Sequence, residues 1–327
     1  MISVVIPSKD GAHLLPSCLE ALRAQSIAGL ELIVVDDGSR DQTAALLAQR
    51  YPEVRRIGFA RSRGFAAAAN AGIRAATRPN VALVNNDAVV AKDWARELLA
   101  ALESDTSAGS AASRLLRADD GARLDGVGDG YTRGGLAYKR GWGRPNGPEF
   151  DRPAAVFGAC AAAALYRRAA LDQAGLLDES YGSYVEDVDL AFRLQLLGYR
   201  CLYVPAAQAS HAEASSSGGR MTAPRARLIV RNSLRTVVKD YPGALLLRNL
   251  HRVVLDQARL LFHLGGRGRK PVAALRGVIE AFGFAPRDLK QRRRIQARRR
   301  IALDALARLL RQGDDELAAQ RRRAVAG

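Results

Sequence analysis

Ile2-Ser3-Val4-Val5-Ile6-Pro7 opens the chain as a β-branched run stopped by proline, the pattern of a buried strand. Leu14, Leu15, Leu19 and Leu22 then recur at helical spacing up to Gln25. Leu30 to Val35 predicts a second strand, ending in Asp36-Asp37-Gly38-Ser39, and Asp41 is placed to cap a helix that turns Leu46 and Leu47 inward. Val54 to Phe59 predicts a third strand, Arg61 to Phe65 a loop, and an Ala-rich helix runs through Asn70 to Ala76. Val81-Ala82-Leu83-Val84 predicts a fourth strand that stops abruptly at Asn85-Asn86-Asp87. Strands alternating with helices predict the α/β class, a Rossmann-like, mostly parallel sheet flanked by helices.

On such a sheet the carboxyl ends of the strands share one edge, where ligands collect. Three of them carry polar groups here: Pro7-Ser8-Lys9, Asp36-Asp37 and Asn85-Asn86-Asp87. A carboxylate at that edge can accept from a base N–H or a ribose hydroxyl, or hold a hard cation that in turn holds a diphosphate. Asn and Asp are also ordinary turn residues, and the last segment reads equally as a turn. No glycine-rich phosphate cradle of the GxGxxG or P-loop type is present.

Residues 104–152 are polar and Gly-rich, and read either as a long mobile loop over the site or as a surface insertion without chemistry. Phe157-Gly158-Ala159-Cys160 begins a small-residue segment that would let backbone and substrate approach closely. Leu190, Leu194 and Leu197 then space out the inward face of a helix closed by Gly198. Glu186, Asp187 and Asp189 lie at or near its N-terminus, where the helix dipole favours ionised carboxylates and where acidic residues also serve simply as caps. The strand Arg200 to Pro205 follows, and His211 comes six residues past that proline.

Charge divides the chain. Residues 1–224 hold 25 basic and 25 acidic residues; residues 225–327 hold 25 and 8, so the whole surplus of +17 sits in the last third. We read 1–224 as a catalytic domain and 225–327 as a basic amphipathic helical region. Leu228, Val230, Leu234, Val237 and Val238 form an apolar stripe among Arg225, Arg227, Arg231, Arg235 and Lys239, continued by Leu245-Leu246-Leu247, Val253-Val254-Leu255 and Leu260-Leu261-Phe262. Apolar faces flanked by Arg suit helices lying in an anionic membrane interface. Nucleic-acid binding fits the charge, but no nucleic-acid module is recognisable and aromatic residues for base stacking are few. The third reading is a helical appendage packed on the catalytic domain. Arg292-Arg293-Arg294 and Arg298-Arg299-Arg300 are expected on one helix ending near Leu310, with a frayed tail beyond Gln312.

Three widely spaced cysteines, Cys18, Cys160 and Cys201, predict reduced thiols rather than a disulfide framework or a zinc site. A strand beginning at Ile2 without a basic leader predicts no signal peptide, and no run of 18 apolar residues occurs. The expected location is the cytoplasm, peripheral on the inner face of the cell membrane.

Taken together, Val4-Val5-Ile6-Pro7, Val34 to Ser39, Gly64-Phe65, Asn70-Ala71-Gly72, Asn85-Asn86-Asp87, Gly158-Ala159, Glu186 to Leu190 with Arg193, and His211 resemble the family 2 glycosyltransferases of the GT-A fold, and within them the rhamnosyltransferase-like group. The resemblance covers about residues 1–215. It implies that Pro7, Ser8 and Asp37 face the nucleotide base with Asp36 beside them, and that Asn70, Asn85, Asn86 and Asp87 serve the donor. Asp87 matches the last carboxylate of the DxD metal motif, Asn85 stands at its first position, and His211 matches the other metal ligand. Ser62 stands where many relatives have Asn. Asp187 matches the catalytic base, with Glu186 in reserve, and Gly158, Ala159 and Trp142 fall on the acceptor side. The implied activity is inverting transfer from a nucleotide-diphosphate sugar, dTDP-rhamnose first with UDP- and GDP-sugars open, to a lipid-linked saccharide or polysaccharide, aided by Mn²⁺ or Mg²⁺. A non-catalytic sugar-nucleotide or nucleic-acid binding protein, or a nucleotidyltransferase, are the alternatives.

Overall fold

The computed structural model describes residues 1–212, 221–265 and 270–326. Its N-terminal half alternates β1 (Ile2–Ser8), α1 (Leu15–Arg23), β2 (Glu31–Asp36), α2 (Thr43–Arg50), β3 (Arg55–Gly58), α3 (Phe65–Ala75) and β4 (Asn80–Val84). β1 pairs in parallel with β2 on one side and β4 on the other. All seven β1 residues are buried, as a continuous apolar run covered on both faces must be. Leu15, Leu19 and Leu22 of α1 and Leu47 of α2 pack one face of the sheet; Ala66, Ala69 and Ile73 of α3 pack the other. Gly72 lets α3 lie directly on β1, since a Cβ there would stand 2.2 Å from a Val5 methyl.

Beyond β4 come β5 (Ala88–Val90), α4 (Trp94–Ser104), β6 (Ala108–Arg117), β7 (Leu124–Gly126), β8 (Asp129–Tyr131), β9 (Ala137–Lys139), β10 (Ala154–Val156), β11 (Ala163–Arg167), α5 (Arg168–Ala174), α6 (Glu186–Leu196) and β12 (Arg200–His211). The sheet runs β10-β12-β6-β11-β4-β1-β2-β3. It is parallel from β4 to β3; β11 runs antiparallel to both β4 and β6, and β6 and β12 are again parallel to each other. Residues 104–152 are neither a lid nor an insertion: β6 is an interior strand, and β8 and β9 form a hairpin. The hydrophobic pattern predicts no strand there because AGSAASRLLR is dominated by small residues. Small residues are what the site of packing demands, as a Cβ on Gly109 would sit 2.8 Å from the Tyr199 side chain.

Four helices complete the chain: α7 (Ala223–Asp240), α8 (Gly243–Gly265), α9 (Pro271–Ala297) and α10 (Leu303–Ala326). None of the described helices is long and apolar enough to cross a membrane. The α7 stripe does not lie in a bilayer. No residue from Arg225 to Asp240 is exposed, and Val230 and Val237 are buried. Its cations face carboxylates on both sides: Lys239 pairs with Asp178 (3.1 Å) and Asp189 of the preceding domain, and Arg235 with Asp288 of α9 (2.8 Å). The two Arg clusters are not on one helix, because the chain breaks between α9 and α10 at residues 298–302. Nor is the C-terminus frayed at Gln312. Asp314 binds Arg133, Glu316 binds Arg140 at 2.7 Å, and Gln320 accepts from the Gly141 N–H at 3.2 Å, which fastens α10 to the β8–β9 hairpin. The three cysteines are unpaired.

Candidate active site

The parallel pairing sets the ends of β1, β2 and β4 on one edge, with Ser8 opposite Asp36 and Val5 opposite Leu83. Just past that edge, the Asn86 amide donates to the Ser8 hydroxyl at 2.9 Å. The chain turns at Asn85 and pairs β5 with the far end of β12, placing His211 opposite Ala88. That pairing brings the Asp87 carboxylate within 3.3 Å of His211 Nε2, although 124 positions separate them in the chain. Both line a cleft of about 1070 Å³, together with Pro7, Ser8, Asp37, Asn85, Asn86, Trp142, Glu186 and Asp187.

Three donors hold Asp37. Its carboxylate accepts from the Ser62 hydroxyl (2.6 Å), the Arg63 N–H (2.6 Å) and the Gly64 N–H (3.0 Å), so it also shapes the loop that borders the cleft. Trp142 is presented between two glycines, Gly141 and Gly143, both at φ +72°, and the residue is 51% exposed at the cleft.

Four expected site residues are not brought to the cleft. Asp36 turns away to accept from the Ser39 N–H and pair with Arg56, each at 2.9 Å. Asn70 is buried and clamps the chain at Leu177 through both its donor and its acceptor (2.8 and 3.0 Å). Gly158 is needed for packing, since a Cβ there would approach that of Ala191 to 2.5 Å, and Ala159 lies in the core. The next residues, Cys160, Ala161 and Ala162, form that wall instead.

Asp187 is half-buried at the start of α6. Its oxygens accept from the Ala161 N–H at 3.3 Å and from its neighbour Val188 at 2.9 Å. Burial raises its pKa, against those backbone donors, which oppose the rise. Glu186 beside it is buried and pushed well above the usual carboxylate range, first by burial and then by the Asp187 charge. The approach to the pair is strained: Tyr184 and Val185 both have positive φ (69° and 70°), a region β-branched residues avoid. The loop is held by Asn232 of α7, whose amide donates to the carbonyls of Tyr181 (3.2 Å), Ser183 (3.2 Å) and Tyr184 (2.7 Å).

Residues that the sequence reading missed complete the site. Asp125 is wholly buried and accepts from His211 Nδ1 at 2.8 Å, while Lys139 lies 2.6 Å from its other oxygen and lines the cleft. Burial alone would lower the His211 pKa, but the hydrogen bonds to Asp125 and Asp87 lift it to about 9. Asp129, also on the cleft, is buried and raised well above the carboxylate range by burial and by Asp187. Tertiary strand pairing brings Asp125 and Lys139 to His211, so no local pattern announces those two.

A profile described as Glycosyl transferase family 2 matches residues 3–175. The chain belongs to that family. The glycosyltransferase is 29% identical over 239 residues to an N-acetylglucosaminyl-diphospho-decaprenol L-rhamnosyltransferase of Mycobacterium tuberculosis (strain CDC 1551 / Oshkosh), covering 66% of this chain and 76% of that protein. Among solved structures, the mannosyltransferase PcManGT of Pyrobaculum calidifontis, in complex with GDP-Man and Mn²⁺, superposes with a TM-score of 0.56 at 18% identity, over 91% of this chain and 85% of the other. S. aureus TarS 1-349 in complex with UDP-GlcNAc gives 0.57 at 15% identity, over 90% of each. These likenesses establish the GT-A fold of the glycosyltransferase.

Proposed function

We propose that this glycosyltransferase inverts configuration as it moves a sugar, rhamnose from dTDP-rhamnose in the first instance, onto a lipid-linked saccharide or polysaccharide. It acts at the cytoplasmic face of the membrane as a peripheral protein, with residues 1–224 as its catalytic domain. One observation carries the reading: Asp87, His211 and Asp187 converge on one cleft beside Asp37. In this reading Pro7, Ser8 and Asp37 receive the nucleoside, and Asn85, Asn86 and Asp87 the diphosphate. The acceptor hydroxyl, steered by Trp142, attacks the anomeric carbon and gives its proton to Asp187. A new C–O bond forms as the bond from carbon to the diphosphate oxygen breaks, and the nucleoside diphosphate departs.

The residues fit a divalent cation. Two donor atoms bound at ~2.1 Å and a right angle stand ~3 Å apart, and Asp87 Oδ1 lies 3.3 Å from His211 Nε2. Among the described residues no cluster of three or more His, Cys, Asp or Glu side chains could hold an ion, so diphosphate oxygens and water must supply the remaining ligands. A bound Mn²⁺ or Mg²⁺ would neutralise the charge that grows on the leaving diphosphate. Asp125 would fix the His211 ring, the role that a carboxylate behind a ligating histidine commonly has. His211 must lose its proton to ligate, and its pKa stands near 9. Apparent Mn²⁺ affinity is therefore expected to rise about tenfold per pH unit up to that value. Titration followed by the free Mn²⁺ signal at pH 7 and 8 measures it; equal affinities would remove His211 from the ligand set.

The identity of the donor is tested by thermal shift with dTDP-rhamnose, UDP- and GDP-sugars, with and without Mn²⁺. Ligand at about 100 times its Kd stabilises by about 2.7 kcal/mol. The dTDP-sugar is expected to raise Tm only with the metal; a larger shift with UDP- or GDP-sugars reassigns the donor, and no shift with any rejects the reading.

A further inference from the structure

Among the described residues thirteen large apolar side chains are exposed, and ten of them lie on α8 and α9. On α8 they are Leu247, Leu250, Val254, Leu255 and Phe262; on α9 they are Val272, Leu275, Ile279, Phe282 and Leu289. Neither set faces the protein. α8 packs inward through Leu245, Asn249, Val253 and Leu264, and α9 through Ala274, Gly277, Ala281 and Asp288. Gly277 makes the inner contact tight, since a Cβ there would lie 2.5 Å from the Arg227 carbonyl oxygen of α7. The outward residues of α9 repeat at intervals of three, four and seven, a stripe on the side away from that contact. Contiguous exposed apolar surface on this scale marks an interaction site.

Charge selects the partner. The two helices carry three carboxylates in all, and each is drawn inward or paired: Asp256 with Arg259 (3.0 Å), Glu280 with Arg227 and Arg276 (2.9 and 3.0 Å), and Asp288 with Arg235 (2.8 Å). Arg248, Arg252, Lys290, Arg293 and Arg294 are exposed and have no ion-pair partner among the described residues. An outward face that is apolar and cationic repels a second copy of itself and suits an anionic lipid surface.

The α8 and α9 helices are also tied to the cleft. Ile229, which lines the cleft, packs against the same buried cluster of Ala226, Val230, Leu264 and Ala274 as Leu260 and Leu261 of α8 and Val278 of α9. Gln257 of α8 donates to the carbonyls of Gly134 and Gly135 (3.3 and 2.9 Å), at the turn of the β8–β9 hairpin whose Tyr138 and Lys139 line the cleft. We propose that the outward face of α8 and α9 inserts its apolar residues into an anionic bilayer surface and holds the cleft at a fixed position above the leaflet. This rests on the reading of a lipid-linked acceptor and adds the surface that would bring enzyme and acceptor together.

The full chain is sedimented with phosphatidylcholine vesicles and with vesicles containing phosphatidylglycerol, at low and high salt. Binding is expected to the anionic vesicles at low salt and to weaken with salt. Phe262→Ser with Phe282→Ser, and separately Arg248→Glu with Arg252→Glu, are each expected to lower the bound fraction at least tenfold without lowering Tm. No binding of the parent protein, equal binding by the variants, or equal binding to neutral vesicles overturns the proposal. So does a dimer that the Phe262→Ser, Phe282→Ser variant dissociates, which would make a second copy the occupant. The Tm shift on adding nucleotide sugar is read on the same samples. Its persistence in variants that no longer bind vesicles separates this surface from the donor site, and its absence in the parent counts against the catalytic reading and not against this surface.

Discussion

Asp187→Asn is expected to lower kcat by about 10²- to 10⁴-fold, the usual contribution of a positioned general base, while leaving the donor-induced shift in Tm unchanged. The amide has the shape of the carboxylate and can still accept one backbone hydrogen bond at the site where Asp187 receives the Ala161 and Val188 N–H groups. It cannot take the acceptor proton. Glu186 is the control. Its burial and the adjacent Asp187 charge push its pKa well up, which favours its protonated form over a base. Glu186→Gln mimics that protonated form and should retain most of the activity. Asp129 is raised in the same way, first by burial and then by the Asp187 charge. Because burial also raises Asp187, the acid limb of kcat should fall above the ordinary aspartate range, with activity increasing as pH rises through it. Initial rates of the two variants across pH, with a soluble acceptor, decide the assignment. A fully active Asp187→Asn enzyme would exclude this carboxylate as the base.

What could be read directly from the chain was the part in which local pattern and tertiary role agree. The runs at β1, β2 and β4 are long, apolar and bounded by polar stops, so the strands and the chemistry at their ends are visible together. Asp37, Asp87, Asp187 and His211 all reach the cleft as expected. Residues 104–152 fail as pattern because a strand buried among other strands can be built from Ala, Ser and Gly, which resemble a loop. Asp36 and Asp37 are adjacent and chemically alike, but successive residues at a strand end point to opposite sides; one lines the cleft and the other binds Arg56. The basic stripe of α7 fails for a different reason. Alternating Arg and aliphatic residues look the same whether the partner is a phospholipid or a set of carboxylates. The carboxylates in question, Asp178 and Asp189, lie some fifty residues earlier, where nothing marks them as partners of this helix.

That ambiguity yields the second large effect. Arg235→Met is expected to destabilise the protein by about 3–5 kcal/mol, the scale found when one member of a buried ion pair is removed, and to lower Tm on the order of 10 °C. Arg235 is fully buried. It grips both oxygens of Asp288 at 2.8 and 2.9 Å, donates to the Ser180 hydroxyl at 2.8 Å, and stacks against Tyr181 and Phe284. Methionine fills much of the same volume but leaves the buried Asp288 carboxylate without its cation. Adding Asp288→Leu should recover a substantial part of the loss, since it removes the orphaned charge rather than restoring the pair. Arg252→Met, with the same substitution at an exposed position on the next helix, should change stability by less than about 0.5 kcal/mol. Urea unfolding of the four proteins measures all three differences. The contrast separates the two kinds of arginine in the basic third of the chain: those of α7 such as Arg231 and Arg235 hold the loop that leads into Glu186 and Asp187, and exposed ones of α8 and α9 such as Arg248, Arg252, Arg293 and Arg294 can meet a surface outside the protein. Equal, small effects at both positions would mean that α7 contributes little to folding and that the strained approach to Asp187 is held by something other than this helix.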